Sequence, residues 1–192
     1  MKKDYCMTVR VLTVAPVMAT AFLICMLIHR FEVFTNIWQW LYYLLLMGIL
    51  PLLAYPVQKY IPHFRTDGRH GQRILAMIFA VTGYILCCVI NFIFTASAGA
   101  WVIILEYLLS GVATLVFNKA FHVKISGHAC GVLGPVMLLF YFGLYIQALC
   151  GVLITALVYI ASLKTKRHTL PQLIGGSIVP IAVIAALKLI FG

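Results

Sequence analysis

Two short runs carry residue types suited to phosphate chemistry. Lys124-Ile125-Ser126-Gly127-His128 stands at the mouth of one apolar stretch, and Lys164-Thr165-Lys166-Arg167-His168 at the mouth of another. Histidine changes charge near neutral pH, so two imidazoles in one site can supply a nucleophile and a proton donor. Cations beside them would neutralise a phosphate, and the first turn of a helix offers an anion unpaired N–H groups and a positive dipole end. Ser126 is a residue type that caps helices, and Gly127 lets an anion approach the backbone. Thr169 and Gln172 have the spacing of a capping box, and Pro171 suits a first turn because it has no N–H to lose. A plainer account makes these two capped helices, one packing through Gly131 and Gly134, in a basic loop region. It explains Lys164 and Lys166 but gives no reason for two histidines placed alike.

Holding these residues in place is a task for a membrane bundle. Of the 192 residues, 64% are hydrophobic and 9% charged, with a mean hydropathy of +1.08. We therefore expect an all-α, polytopic transmembrane helical bundle forming one domain over residues 1–192, with the chemistry-bearing motifs in 119–192. A bilayer core takes about 20 apolar residues per helix. The apolar stretches place about seven spans, six being possible, at 9–29, 35–57, 74–96, 99–118, 125–145, 147–164 and 169–191. The fifth and sixth are barely long enough and should turn near Gln147. Lys2, Lys3 and Arg10 precede an apolar run too long for a signal peptide, which predicts an uncleaved first helix.

With seven spans, twelve of the fourteen Lys and Arg residues fall on the N-terminal side and only Arg30 and Lys188 opposite. The positive-inside rule then puts the N-terminus and the motif loops in the cytoplasm, across a cell (inner) membrane. Cations that bind substrate would gather near the motifs on either face, but Lys2, Lys3, Lys59, Arg65 and Arg69 point the same way. The net charge of +10 sits in short loops at helix ends, which favours anionic lipid headgroups over nucleic acid as partners. The six cysteines show no CxxC pair and no zinc-like spacing, so they are expected as apolar filler, without a metal or a disulfide framework.

In the fourth span Glu106, Ser110, Thr114 and Asn118 recur every four residues and so share one helical face. The stripe is expected to face the bundle interior and to line the route of a substrate just below its headgroup. An intramembrane carboxylate is a candidate for binding or proton transfer. It is equally a candidate for a protonated acid hydrogen-bonded to a neighbouring helix.

At these motifs the chain resembles the type 2 phosphatidic acid phosphatase family of integral membrane lipid phosphatases, in a compact bacterial form. Ile125-Ser126-Gly127-His128 is similar to that family's PSGH motif apart from the proline. Residues Ala161 to Gln172 resemble SRxxxxxHxxxD, with His168 at the matching position, Ser162 in place of the arginine and Gln172 in place of the aspartate. The KxxxxxxRP motif has no secure counterpart; Lys119 and Lys124 precede the SGH run. The resemblance implies phosphoester hydrolysis through a covalent phosphohistidine, without metal or other cofactor. His168 would be the nucleophile and His128 the acid for the leaving oxygen. Lys119, Lys124, Ser126, Gly127 and Arg167 would hold the phosphate, with Gln172, Lys164, Lys166 and Glu106 in support. Substrates would be a polyisoprenyl (di)phosphate or a phosphatidic-acid-like lipid. Members of the family commonly act at the outer membrane face, whereas the charge distribution here points inward.

Ser162 and Gln172 keep open another class, a membrane protein that binds or moves lipid phosphates without turnover. A transporter with Glu106 as proton carrier is a third, though the sequence has no internal repeat to support it.

Overall fold

The structure is a computed structural model that describes residues 3–192, leaving aside the side chains of Lys3, Asp4 and Arg69. Lys2 lies outside the described residues, as do the side chains of Lys3 and Arg69, three of the cations counted above. The described residues build an all-α bundle with no strand: α1 (Lys3–Leu12), α2 (Ala15–His29), α3 (Ile37–Tyr60), α4 (Gly68–Ile93), α5 (Ala98–Lys119), α6 (Gly127–Tyr141), α7 (Tyr145–Lys164) and α8 (Leu170–Phe191). Five helices, α3, α4, α5, α7 and α8, are long and apolar enough to cross a membrane, and α1 with α2 makes a sixth if the bent pair is one span. Their outward faces carry exposed Ile78, Ile85, Val89, Leu153, Leu157, Ile178 and Ile181. Apolar side chains exposed in such rows suit lipid rather than water. The chain is a membrane protein.

Three sequence expectations change. The first stretch is not one helix: α1 and α2 meet at an angle of 57° across Thr13 and Val14. Pro16, in the first turn of α2, has no N–H for the carbonyl four residues back and its ring would collide there, so the helix restarts. Second, the turn before α7 lies at Gly143 rather than Gln147. Gly143 has φ +75°, and the bonds from Leu144 N–H to Leu139 and from Gly143 N–H to Phe140 form a Schellman end. Third, α6 is therefore only 15 residues long, about 22 Å of rise against a hydrocarbon core of about 30 Å. It is packed by α2, α5, α7 and α8, so its length need not match the bilayer.

The helices run alternately between two ends. At one, Arg30 lies against Gly143, and Gly99 against Val33 and Phe142. At the other, Arg10 meets Ser162, Thr13 meets His128, and the Ser126 backbone meets that of Gln172. Both histidine motifs and most cations share this second, basic end.

Candidate functional site

His168 follows the end of α7, and its position comes from an unusual turn. Arg167 N–H bonds to Ser162 C=O and Lys166 N–H to Leu163 C=O, a Schellman arrangement in which Lys166 takes the left-handed position at φ +52°. Glycine is the usual occupant, and a side chain there costs about 1 kcal/mol or more. The strained turn aims Arg167 and His168 back over the bundle, and α8 begins at once. Thr169 and Gln172 form the capping box, with Thr169 N–H donating to Gln172 Oε1 at 3.3 Å.

The same Oε1 lies 3.2 Å from His168 Nδ1. Because that oxygen already accepts from the backbone, the amide orientation is fixed, and Nδ1 must carry the proton that bonds to it. Nε2 is then the unprotonated nitrogen, the form a nucleophile needs. Burial pulls the His168 pKa below the ordinary histidine value; the Gln172 contact works the other way, and the charges of Arg10, Lys124 and Arg73 lower it further. The neutral ring is favoured near neutral pH.

His168 and Gln172 line a cleft of about 300 Å³ with Lys124, Lys166, Arg167, Thr169 and Leu163. Lys124 brings to it the loop before α6. Ser126 is fully buried and caps α6 by accepting from Ala129 N–H at 3.2 Å, while its own N–H donates to Gln172 C=O at 2.8 Å. This approach depends on Gly175 and Gly176. A Cβ on Gly176 would collide with the Ser126 carbonyl, and one on Gly175 would come within 2.9 Å of Ile125. Sequence reasoning missed both glycines; the pair in an apolar helix was the only signal. Gly127 is exposed at the α6 N-terminus, with Thr114 beneath it.

His128 lies one step inside the cleft wall. Its Nε2 is 3.2 Å from Thr13 Oγ1, at the break between α1 and α2. The Thr13 hydroxyl donates to Val9 C=O at 2.7 Å, so it accepts from His128 Nε2–H and leaves Nδ1 without that proton. His128 is close enough to Arg10 and His168 to feel their charges, but it does not line the cleft.

Three residues named from sequence stand apart from the cleft. Lys119 and Lys164 are exposed at the ends of α5 and α7. Each follows an inward-facing residue, Asn118 or Ser162, by one or two positions, which turns it about 100° or 200° away. Glu106 is 1% exposed, packed against Gly134, with Oε1 accepting from Ser110 at 3.0 Å. The Glu106, Ser110, Thr114 and Asn118 stripe faces inward onto α6 rather than lining a route for substrate. Asn118 shows its use: Oδ1 accepts from Ile125 N–H at 3.0 Å and Nδ2 donates to Ile125 C=O at 3.2 Å. That clamp sets the strand-like approach to the SGH run.

The structure also brings in two cations that sequence reasoning counted only for membrane orientation. Arg10 donates from Nη1 to Ser162 Oγ at 2.7 Å, and Arg73 lies near enough to act on both Arg10 and His168. Among the described residues no three His, Cys, Asp or Glu side chains converge.

Comparison with protein-family models, with curated protein sequences and with solved structures yields no match. Function must therefore be argued from the site.

Proposed function

We propose that this protein is an integral membrane hydrolase that removes phosphate from a lipid phosphate or diphosphate through a phosphohistidine. The observation that carries the reading is the double use of Gln172 Oε1, which holds His168 in the tautomer with Nε2 free beside a cleft lined by Lys124, Lys166 and Arg167. In the first step the His168 Nε2 lone pair forms a bond to phosphorus while the bond to the lipid oxygen breaks, and that oxygen takes a proton from a water in the open cleft. In the second, the hydroxide left by that transfer attacks phosphorus, the N–P bond breaks and inorganic phosphate leaves; His128, expected from sequence as the acid, has its Nε2–H on Thr13 outside the cleft lining and takes no part in this step. The cations and the N–H groups of the α6 first turn neutralise oxygens whose charge shifts during transfer. A polyisoprenyl (di)phosphate or a phosphatidic-acid-like lipid has the required combination of anionic head and apolar tail. We place the basic end in the cytoplasm of a bacterial inner membrane, by the charge asymmetry between the two ends.

His168→Asn in detergent-purified protein is the direct test. Phosphate release from a lipid panel should fall to background with the thermal melt unchanged. Activity persisting in the variant, or absent from the parent across the panel, rejects the reading.

A second reading, a lipid-phosphate binder without turnover, draws on the engagement of His128 by Thr13 and its absence from the cleft lining. Acid-labile labelling of His168 by radioactive lipid phosphate separates the two, because binding alone leaves no covalent phosphate.

A further inference from the structure

Beneath the cleft, two helices that follow one another in the chain stand apart. α7 and α8 pack on separate flanks of α6 and barely on each other. On α6, Val132 and Val136 meet α7 at Val158 and Gly151, and Cys130 meets α8 at Val179. At 100° per residue Leu133 points between these two contacts, and it is half-buried. The furrow between α7 and α8 therefore has α6 as its floor and opens to lipid.

Its upper walls are apolar and exposed at Leu163, Leu170 and Ile174, and Leu163 also lines the cleft, so cleft and furrow are continuous. One polar pair crosses it: Tyr159 OH and Ser177 Oγ lie 2.7 Å apart. Leu163 follows Tyr159 by one turn and Leu170 precedes Ser177 by two, which sets each on the same helical face as its partner. By helical rise the pair stands about 8 Å below the end of α7 and about 10 Å below the start of α8. An apolar tail gains little by exchanging lipid for an apolar protein surface, so what this furrow can select is the polar part of a lipid. Two hydroxyls carry two protons, and their mutual bond uses one. The second O–H faces apolar surroundings, where an unmatched donor is costly and an oxygen on the ligand would relieve it.

We propose that the furrow between α7 and α8 receives the glycerol ester region of a diacylglycerol phosphate, and that the Tyr159 and Ser177 pair donates its spare O–H to an ester carbonyl. The ester groups of such a lipid lie a few bonds below phosphorus, which brings them down to the pair when the phosphate occupies the cleft. A polyisoprenyl phosphate is hydrocarbon at that depth and leaves the donor unmatched. The pair thus selects between the two lipid classes that the cleft alone accepts. The inference rests on the lipid-phosphate reading of the cleft but needs no turnover, and it makes Tyr159 and Ser177 specificity-determining residues that touch no reacting atom.

The test compares binding of two hydrolysis-resistant phosphonate lipids, identical except that one has ester-linked and the other ether-linked chains, to the full-length, detergent-purified protein. The ether lacks the carbonyl and nothing else. The parent should bind the ester lipid about two- to tenfold more tightly, as one hydrogen bond between neutral groups provides. Tyr159→Phe and Ser177→Ala should each bind the ester lipid as weakly as the parent binds the ether, with affinity for the ether within twofold of the parent. Tyr55→Phe, which removes an exposed hydroxyl from α3, should keep the preference. Equal binding of ester and ether by the parent, binding of neither, or tighter binding of a polyisoprenyl phosphonate than of the ester lipid overturns the proposal. So does an ester preference that survives in both Tyr159→Phe and Ser177→Ala; if Tyr159→Phe does not fold, Ser177→Ala alone decides. A preference that depends on Tyr159 in a parent that releases no phosphate would sink the hydrolase reading and keep this one, whereas phosphate release from lipid phosphates without any linkage preference would do the reverse.

Discussion

Gln172 is where a single side chain decides what His168 can do. A neutral amide orients the ring through Nδ1 but does not stabilise its positive charge, and the surrounding cations oppose that charge. The unprotonated ring is the nucleophile, so the acidic limb of kcat/KM against pH should lie below the ordinary histidine pKa of about 6.5. Gln172→Glu supplies a carboxylate at hydrogen-bond distance, which should raise the His168 pKa by favouring the charged ring. The acidic limb then moves to higher pH, while the rate on the alkaline plateau rises because the phosphohistidine cation is better stabilised. Gln172→Ala frees the ring and should lower kcat/KM by about two- to tenfold, as expected for losing about 0.5–1.5 kcal/mol of orienting hydrogen bond between neutral groups. A pH–rate series on the three proteins checks both directions.

At the level of elements, the site is made by two helix ends forced together. The α7 end uses a lysine where glycine is easier, so Lys166→Gly should stabilise the fold by about 1 kcal/mol through relief of left-handed strain. The same change removes a cation from the cleft, so activity should fall as the melting temperature rises; movement of both in one direction would show that the strain has no functional use. The α6–α8 contact makes the opposite case. In Gly176→Ala the added methyl meets the Ser126 carbonyl, backbone that cannot rotate away. We expect a loss of about 1–3 kcal/mol from overpacking, read as a lower melt in detergent, together with weaker phosphate binding because the Ser126 to Gln172 bond lengthens.

For the whole molecule, the question is which end meets the cytoplasm. Cys6 is a poor reporter because it is 1% exposed, despite its place near the N-terminus. Thr66 and Glu32 are exposed at opposite ends, and both suit introduced cysteines in a background lacking Cys150, which is exposed on α7. With the basic end inside, a membrane-impermeant maleimide should label Glu32→Cys in intact bacteria and Thr66→Cys only after lysis. The reverse pattern would place the phosphate cleft outside and remove the positive-inside argument.

Helix existence was legible in the chain because burial in lipid demands long apolar runs: the stretches expected at 35–57, 74–96, 99–118, 125–145, 147–164 and 169–191 correspond to α3, α4, α5, α6, α7 and α8 with ends shifted by a few residues, while 9–29 divides between α1 and α2. The caps at Ser126 and Thr169 were legible for a similar reason: they depend on residues within one turn of each other. Local sequence also contained the two corrections it did not prompt, since Pro16 breaks the first stretch and Gly143 ends α6 early. What tertiary structure alone decided is which distant groups meet at the basic end, around and behind the cleft. Arg10 and Ser162 are 152 positions apart, Thr13 and His128 are 115 apart, and Gly176 matters only because Ser126 lies across from it. Periodicity reports which face of a helix turns inward, but the partner it meets there depends on how eight helices pack, and no spacing within one segment encodes that.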